Sequence, residues 1–234
     1  MFTKVTQRTA TKQLQHLHFK SQASCTETVL LFSTWAGISD FEKGIANNLS
    51  QVGYDVWLID IYGVGVNLST VEAKKSAMTS LLNDFNCLRL HLQEIAIFVQ
   101  EYTPQSTTGF SAIGYCLGGL CAIQAALFSP GINKGASFHG LLDFPYDTLS
   151  PDKVGTPISL LIMNGASDPM VPTKTQEKAK KYFNLLGVNW TFIDYGNAMH
   201  SFTIPGSNNF KSGIQYHELA ASQSWHHMLN FIST

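Results

Sequence analysis

Apolar and polar positions along the chain fall into two alternating patterns. Short runs rich in β-branched and aromatic residues occupy Thr28–Thr34, Tyr54–Tyr62, Phe110–Tyr115, Gly135–His139, Pro157–Asn164 and Val188–Tyr195. Between them, longer stretches repeat apolar residues at helical spacing: Asp40–Gln51, Val71–Tyr102, Leu117–Phe128, Lys174–Leu186 and Gly213–Phe231. Strand-like runs alternating with helix-like runs predict βαβ units and a mostly parallel central sheet flanked by helices on both faces, a three-layer α/β sandwich. The unbroken apolar run Ile158–Met163 reads as a strand buried on both faces. Asp40 is placed to cap the first helix and Gly53 to end it. The first twenty residues follow neither pattern. No repeat, low-complexity tract or linker interrupts the chain, so residues 1–234 are expected to form a single domain.

Composition narrows the partners. Charged residues make up 13% of the chain, about half of the usual ~25%, and the net charge is −1. Nucleic acid and anionic membrane surfaces both demand a basic patch, and neither is expected here. The four cysteines, Cys25, Cys87, Cys116 and Cys121, are too few for a disulfide scaffold and lack metal-ligand spacing, so no metal site is expected. The N-terminal residues contain no apolar signal segment and no run reaches the length of a membrane span. A cytoplasmic, reducing setting is the expectation.

Chemistry concentrates at three strand ends, which is where open α/β sheets place their sites. In the first, Phe110-Ser-Ala-Ile-Gly-Tyr-Cys116-Leu-Gly-Gly119, a strand runs through a Gly-x-Cys-x-Gly-Gly turn into an Ala-rich helix. This is the nucleophile-elbow pattern with cysteine in the nucleophile's place. A helix N-terminus favours negative charge and hence the thiolate, and the Leu117 amide is placed to meet an oxyanion. The rival reading, a small buried cysteine, does not require the glycines on both sides. Cys121, inside the helix, reads as packing. In the second, Asp168 follows the buried strand in Asn164-Gly-Ala-Ser-Asp-Pro-Met-Val-Pro172. Alone it would be a turn residue; beside an imidazole it would fix the tautomer and stabilise the imidazolium. In the third, His200 lies after the last strand in Asp194-Tyr-Gly-Asn-Ala-Met-His-Ser-Phe202, as base toward a thiol and acid toward a leaving group. Of the other histidines, His139 ends a strand and is assigned a structural hydrogen bond. His226 and His227 fall in the last helix. His16 and His18 fall in the unassigned N-terminal segment, and His91 and His217 have no supporting context. The order Cys116, Asp168, His200 is that of the α/β-hydrolase arrangement.

Four stretches, Gly-Tyr-Cys-Leu-Gly-Gly at 114–119, Ser-Phe-His-Gly at 137–140, Asn-Gly-Ala-Ser-Asp-Pro-Met-Val-Pro at 164–172 and Tyr-Gly-Asn-Ala-Met-His-Ser-Phe at 195–202, resemble the dienelactone hydrolases. So do the segment from Gly53 to Gly63 and the tail 224–231, and the resemblance runs from about Val29 to the C-terminus. It implies a Cys116–Asp168–His200 triad in a lidless, usually cytosolic and often monomeric enzyme that needs no metal or organic cofactor. A monomer or homodimer is expected. The resemblance also implies a second oxyanion amide from the loop Ser33–Gly37, which by position is that of Trp35.

Two departures bear on substrate. The type enzymes carry a glutamate in that loop, and Thr34 stands in its place here. A hydroxyl does not take a proton from a thiol at neutral pH, so direct activation by His200 is expected. The type enzymes also carry an arginine shortly after the catalytic histidine, and here the stretch runs through Phe202 to Ile204. The expected pocket, lined by Thr34, Tyr115, Phe202 and Ile204, lacks a bidentate clamp for a carboxylate and suits a neutral ester, lactone or thioester. The alternatives are a catalytically weak or inactive binding protein of the same fold, and a thiol redox sensor at Cys116.

Overall fold

The computed structural model of the protein describes residues 1–21, 27–103, 109–147, 153 and 155–234. Cys25 lies outside these described residues. Eight strands, β1 (Thr3–Arg8), β2 (Gln13–Phe19), β3 (Glu27–Phe32), β4 (Asp55–Ile59), β5 (Gly109–Tyr115), β6 (Ile132–Phe138), β7 (Ser159–Gly165) and β8 (Asn189–Tyr195), form one sheet in the order β1-β2-β4-β3-β5-β6-β7-β8. From β4 to β8 every pairing is parallel; β1 and β2 form an antiparallel hairpin, and β2 joins β4 antiparallel. A two-stranded ribbon of β9 (Asn208–Asn209) and β10 (Ile214–Gln215) stands apart from the main sheet.

The helices are α1 (Asp40–Gln51), α2 (Val71–Leu82), α3 (Phe85–Tyr102), α4 (Leu117–Phe128), α5 (Thr173–Leu185) and α6 (Glu218–Ile232). Alternate residues of the strands feed two cores, as a period of two requires. Leu30, Ala112, Leu160 and Ile162 face one core with Ile95 and Val99 of α3, Leu120 and Ile123 of α4, and Phe183 of α5. Leu31, Ile113, Leu161 and Met163 face the other with Leu49 of α1 and Met228 and Ile232 of α6. All twelve residues of α4 are buried, so the helix behind Cys116 has no solvent face.

Three sequence expectations need correction. The stretch Val71–Tyr102 is two helices, because the Asp84 side chain accepts from the amides of Asn86 and Cys87 and starts α3 afresh. The cap of α1 is Ser39, not Asp40: its hydroxyl accepts from Phe41 N, and Glu42 returns to the Ser39 amide in a capping box. The last helix begins at Glu218 with His217 as its cap, while residues 214–215 belong to the ribbon.

The N-terminal hairpin was hidden by the polar residues it buries. Gln7, His16 and His18 are all inside, and each is paired. His16 Nε2 lies 2.9 Å from Gln7 Oε1, Gln7 Nε2 donates to the Glu94 carbonyl, and His18 Nε2 lies 2.8 Å from Asp55. A buried polar group is tolerated where it is bonded, but in a sequence it masks the alternation of a strand.

Candidate active site

The carboxyl ends of β3, β5, β7 and β8 bring the candidate residues to one edge of the sheet. Cys116 sits between β5 and α4 with φ of 55°, a region that L-residues with a Cβ rarely adopt. The strain is accommodated because the flanking glycines allow backbone to pass at contact. A Cβ on Gly114 would run into the Gly118 carbonyl, and one on Gly118 into the Phe32 carbonyl. The Cys116 amide donates to the Phe138 carbonyl at 3.0 Å, and its own carbonyl accepts from Gly119 at 3.0 Å. The turn is thus bolted to β6 on one side and to α4 on the other. Cys116 is 8% exposed.

His200 Nε2 lies 3.1 Å from Cys116 Sγ, and His200 Nδ1 lies 2.8 Å from Asp168 Oδ2. The other Asp168 oxygen accepts from the Met170 amide at 2.8 Å. His200 is pinned along its backbone by the β9–β10 ribbon: its amide donates to the Gly213 carbonyl, and its carbonyl accepts from Gln215. Asp168 and His200 are 5% and 2% exposed. Burial by itself drives the His200 imidazole toward neutrality. The bonds to Asp168 and Cys116, with the negative charges they bring, outweigh it and raise the pKa to about 10. The arrangement therefore favours the imidazolium form of His200 at neutral pH.

The two amides expected to meet an oxyanion belong to two elements. Leu117 is the first residue of α4, so its N–H is left over by the helix's own bonding ladder. In the loop after β3, Thr34 N donates to Glu42, Ala36 N to Thr34 Oγ1 and Gly37 N to the Thr34 carbonyl. Among the described residues, the Trp35 amide meets no protein acceptor. The loop is held from two directions. Glu42, 0% exposed in the first turn of α1, accepts from the Thr34 amide at 3.1 Å and from Ser39. Tyr62 donates its hydroxyl to the Trp35 carbonyl at 3.0 Å. Burial, and then the nearby Cys121 and Cys116 thiols, push ionisation of Tyr62 upward, so it stays a donor.

Of the expected pocket residues, Thr34 is 5% exposed with its backbone committed to Glu42, and Ile204 is partly open at the turn closed by its amide on the Ser201 carbonyl. Tyr115 and Phe202 are buried beneath the site instead of bordering it. As an odd-numbered residue of β5, Tyr115 turns toward α1 and stacks on Phe138 at 4.4 Å with Phe41 edge-on. Phe202 packs on Tyr195 and His139 at 5.3 Å each. Both support the site from below. Cys121 is fully buried, and burial pushes its thiol pKa up, consistent with packing. His139 bonds Thr203 Oγ1 at 2.8 Å, His91 the Ile61 carbonyl and His227 the Tyr195 hydroxyl. Sequence reasoning passed over Glu42, although Ser39-Asp-Phe-Glu42 is a capping-box signature. Tyr62 carried no comparable signal. Among the described residues, no group of three or more His, Cys, Asp or Glu is arranged to hold a metal ion, and no helix is long and apolar enough to cross a membrane.

A Gly-x-Cys-x-Gly-Gly turn, an aspartate and a histidine after β5, β7 and β8 of a mostly parallel sheet have the order and placement of the α/β-hydrolase arrangement. The model of the dienelactone hydrolase family matches residues 14–234. The chain belongs to the dienelactone hydrolase family, and membership places it among hydrolases of ester and lactone bonds. It is similar to an uncharacterized protein of Caenorhabditis elegans, 34% identical over 129 residues, spanning 52% of this chain and 77% of that one. It is also similar to a Bradyrhizobium protein called a probable 2-oxo-3-(5-oxofuran-2-ylidene)propanoate lactonase, 23% identical over 214 residues, with 87% and 82% covered. Among solved structures, a dienelactone hydrolase-like promiscuous phosphotriesterase from metagenomic libraries superposes with a TM-score of 0.84 at 24% identity, covering 100% of this chain and 97% of that one.

Proposed function

We propose that the protein hydrolyses a neutral carboxylic ester, lactone or thioester through an acyl-cysteine intermediate, with Cys116 as nucleophile, His200 as proton carrier and Asp168 as its anchor. The observation that carries this reading is the unbroken relay from Asp168 through His200 to Cys116, at 2.8 and 3.1 Å. The Cys116 thiolate adds to the carbonyl carbon, and the charge that moves to the carbonyl oxygen meets the amides of Leu117 and Trp35. Each such donor is worth about 10²–10³ in rate at comparable acyl-transfer sites. The tetrahedral adduct collapses, the bond to the leaving oxygen or sulfur breaks, and His200 gives that atom its proton. A water then enters, loses a proton to His200 and attacks the thioester. The acid leaves and the thiolate returns with His200 protonated, so no oxidant, metal or organic cofactor is consumed.

Ile204, four residues after His200, and Trp35, in the loop after β3, are apolar and partly exposed, which supports an uncharged acyl group. The cysteines among the described residues, Cys87, Cys116 and Cys121, are free, which supports a reducing compartment such as the cytoplasm. The experiment is a panel of chromogenic esters, lactones and thioesters with wild type and Cys116→Ala, plus mass spectrometry of the wild type quenched during turnover. Expected are an adduct equal to the acyl group on the peptide containing Cys116 and loss of at least about 10³ in kcat/KM on substitution. Turnover by Cys116→Ala at the wild-type rate would sink the proposal.

A further inference from the structure

Behind His200 stands a second histidine that the chemistry above does not use. His139 follows β6, is 0% exposed and has φ of 39°, a left-handed conformation unusual for a residue with a Cβ. Its ring centroid lies 5.1 Å from that of His200, with planes at 66°, and 5.3 Å from that of Phe202, at 81°. Its Nε2 lies 2.8 Å from Thr203 Oγ1, on the same turn as His200. Its amide donates at 2.7 Å to the carbonyl of Met163 in β7, the strand that leads to Asp168. Its Nδ1 is buried with no hydrogen-bond partner.

We infer that His139 is a positioning residue: its neutral ring, wedged between Phe202 and His200 and tied to Thr203, sets the plane of the His200 imidazole and thereby aims Nε2 at Cys116. This inference rests on the role given to His200 above. The geometry requires the neutral form. A doubly protonated ring would carry two N–H groups, of which only the one at Nε2 has a partner, and a buried donor without one is costly. It would also set a cation about one ring's width from the imidazolium of His200. Burial and the neighbouring His200 charge act in the same direction and hold the His139 pKa well below the usual histidine range. Among the described residues, the ionisable side chains facing the pair are Cys116 and Asp168 on His200 and the Tyr115 ring 6.0 Å from His139. A neutral imidazole can present its π face to a cationic neighbour, and a T-shaped contact fixes ring orientation in a way an aliphatic side chain does not. Through its amide and its ring, His139 links the strand that bears the acid to the turn that bears the base.

Two substitutions separate the parts. His139→Phe keeps a neutral aromatic ring but loses the bond to Thr203. Thr203→Val loses the same bond and leaves the histidine. The readouts are kcat and KM on a chromogenic ester, the ultraviolet absorbance of the Cys116 thiolate against pH, and the low-field proton resonance of His200 Nδ1–H on Asp168. Expected for both variants is a fall in kcat of about tenfold with KM changed less than about twofold, a displaced resonance and a moved thiolate midpoint, at a nearly unchanged melting temperature. Should His139→Phe fail to fold, Thr203→Val decides, since Thr203 is only half-buried. Variants with wild-type kcat, resonance and thiolate titration would overturn the inference, whether or not their melting temperatures fall. The resonance needs no turnover. An active Cys116→Ala would therefore remove the acyl-cysteine reading, while the resonance still tests whether His139 orients His200.

Discussion

Replacing Glu42 by alanine tests whether the cap of a helix also sets an oxyanion donor. The carboxylate accepts from the Thr34 amide at 3.1 Å, the Ser39 amide at 3.0 Å and the Ser39 hydroxyl. Ser39 is partly exposed, so water can replace what it loses. Thr34 is 5% exposed, and its amide would be stranded. A stranded buried donor costs about 1–3 kcal/mol, and bonds to a charged acceptor contribute about 1.5–3 kcal/mol before water replaces any of them. The side chain also leaves a cavity where it was wholly buried. A net loss of about 3 kcal/mol follows, which for a chain of this size lowers the melting temperature by roughly 6–12 °C. Catalysis should suffer separately. Thr34 immediately precedes Trp35, so freeing its amide lets the Trp35 donor drift, and a displacement of about 1 Å costs up to 10²-fold. The assay is a thermal melt with steady-state kinetics on a chromogenic ester at a temperature where the variant is folded. We expect kcat to fall at least about tenfold with KM nearly constant, and Glu42→Gln to fall between the two proteins on both axes. A Glu42→Ala protein that melts as wild type does, or that melts early with full kcat once folded, would refute this coupling.

Asp168→Asn keeps the shape but no longer fixes the Nδ1–H tautomer, so kcat should drop by about 10³–10⁴ with little change in the melt; a tenth of wild-type activity remaining would contradict the relay. Burial lowers the pKa of His16 and of His91 to about 4. The unfolded chain therefore takes up protons between pH 6.5 and 4 that the folded protein refuses, and stability, complete above 6.5, falls on acidification by up to about 3 kcal/mol for each. His200, raised to about 10, acts oppositely: its contribution is full below 6.5 and is lost as pH rises toward 10. Urea midpoints should thus peak near neutrality, and a midpoint that is flat from pH 7 to 4.5 would dismiss the burial argument. Gly118→Ala forces a Cβ into the carbonyls of Phe32 and Ser33 and should cost more than about 3 kcal/mol. Gly44→Ala, in α1 with nothing within 4 Å of its Cβ, should stabilise by about 0.5–1 kcal/mol, and equal melts for these two proteins would contradict the packing described.

What the sequence disclosed followed the strength of local signals. Most of the parallel strands were legible as compact runs between turn residues, β6 only from Gly135 because Asn133 and Lys134 interrupt its start, and Cys116, Asp168 and His200 because each follows a strand. The hairpin β1–β2 was not, since Gln7, His16 and His18 fill inward positions with side chains that read as surface until their partners 9, 37 and 87 residues away are known. The division between α2 and α3 turned on one capping aspartate inside a continuous helical pattern. Tyr115 and Phe202 read as pocket residues because sequence proximity to a nucleophile or a base does not say which face of a strand or turn a side chain takes. Glu42 was visible as a cap, but its second partner, the Thr34 amide, is a tertiary contact that no local pattern reports.

The split at Asp84 leaves α2 with no buried residue, while α4, which follows Cys116, has no exposed one. The two helices therefore offer opposite tolerances to change. Almost any substitution in α4 disturbs the packing that holds the elbow, whereas in α2 only one face, with Ala77, Met78, Leu81 and Leu82, packs against the core and the exposed positions can be altered without touching it. Random substitution at the exposed positions of residues 71–82 should therefore leave folded protein far more often than random substitution in 117–128.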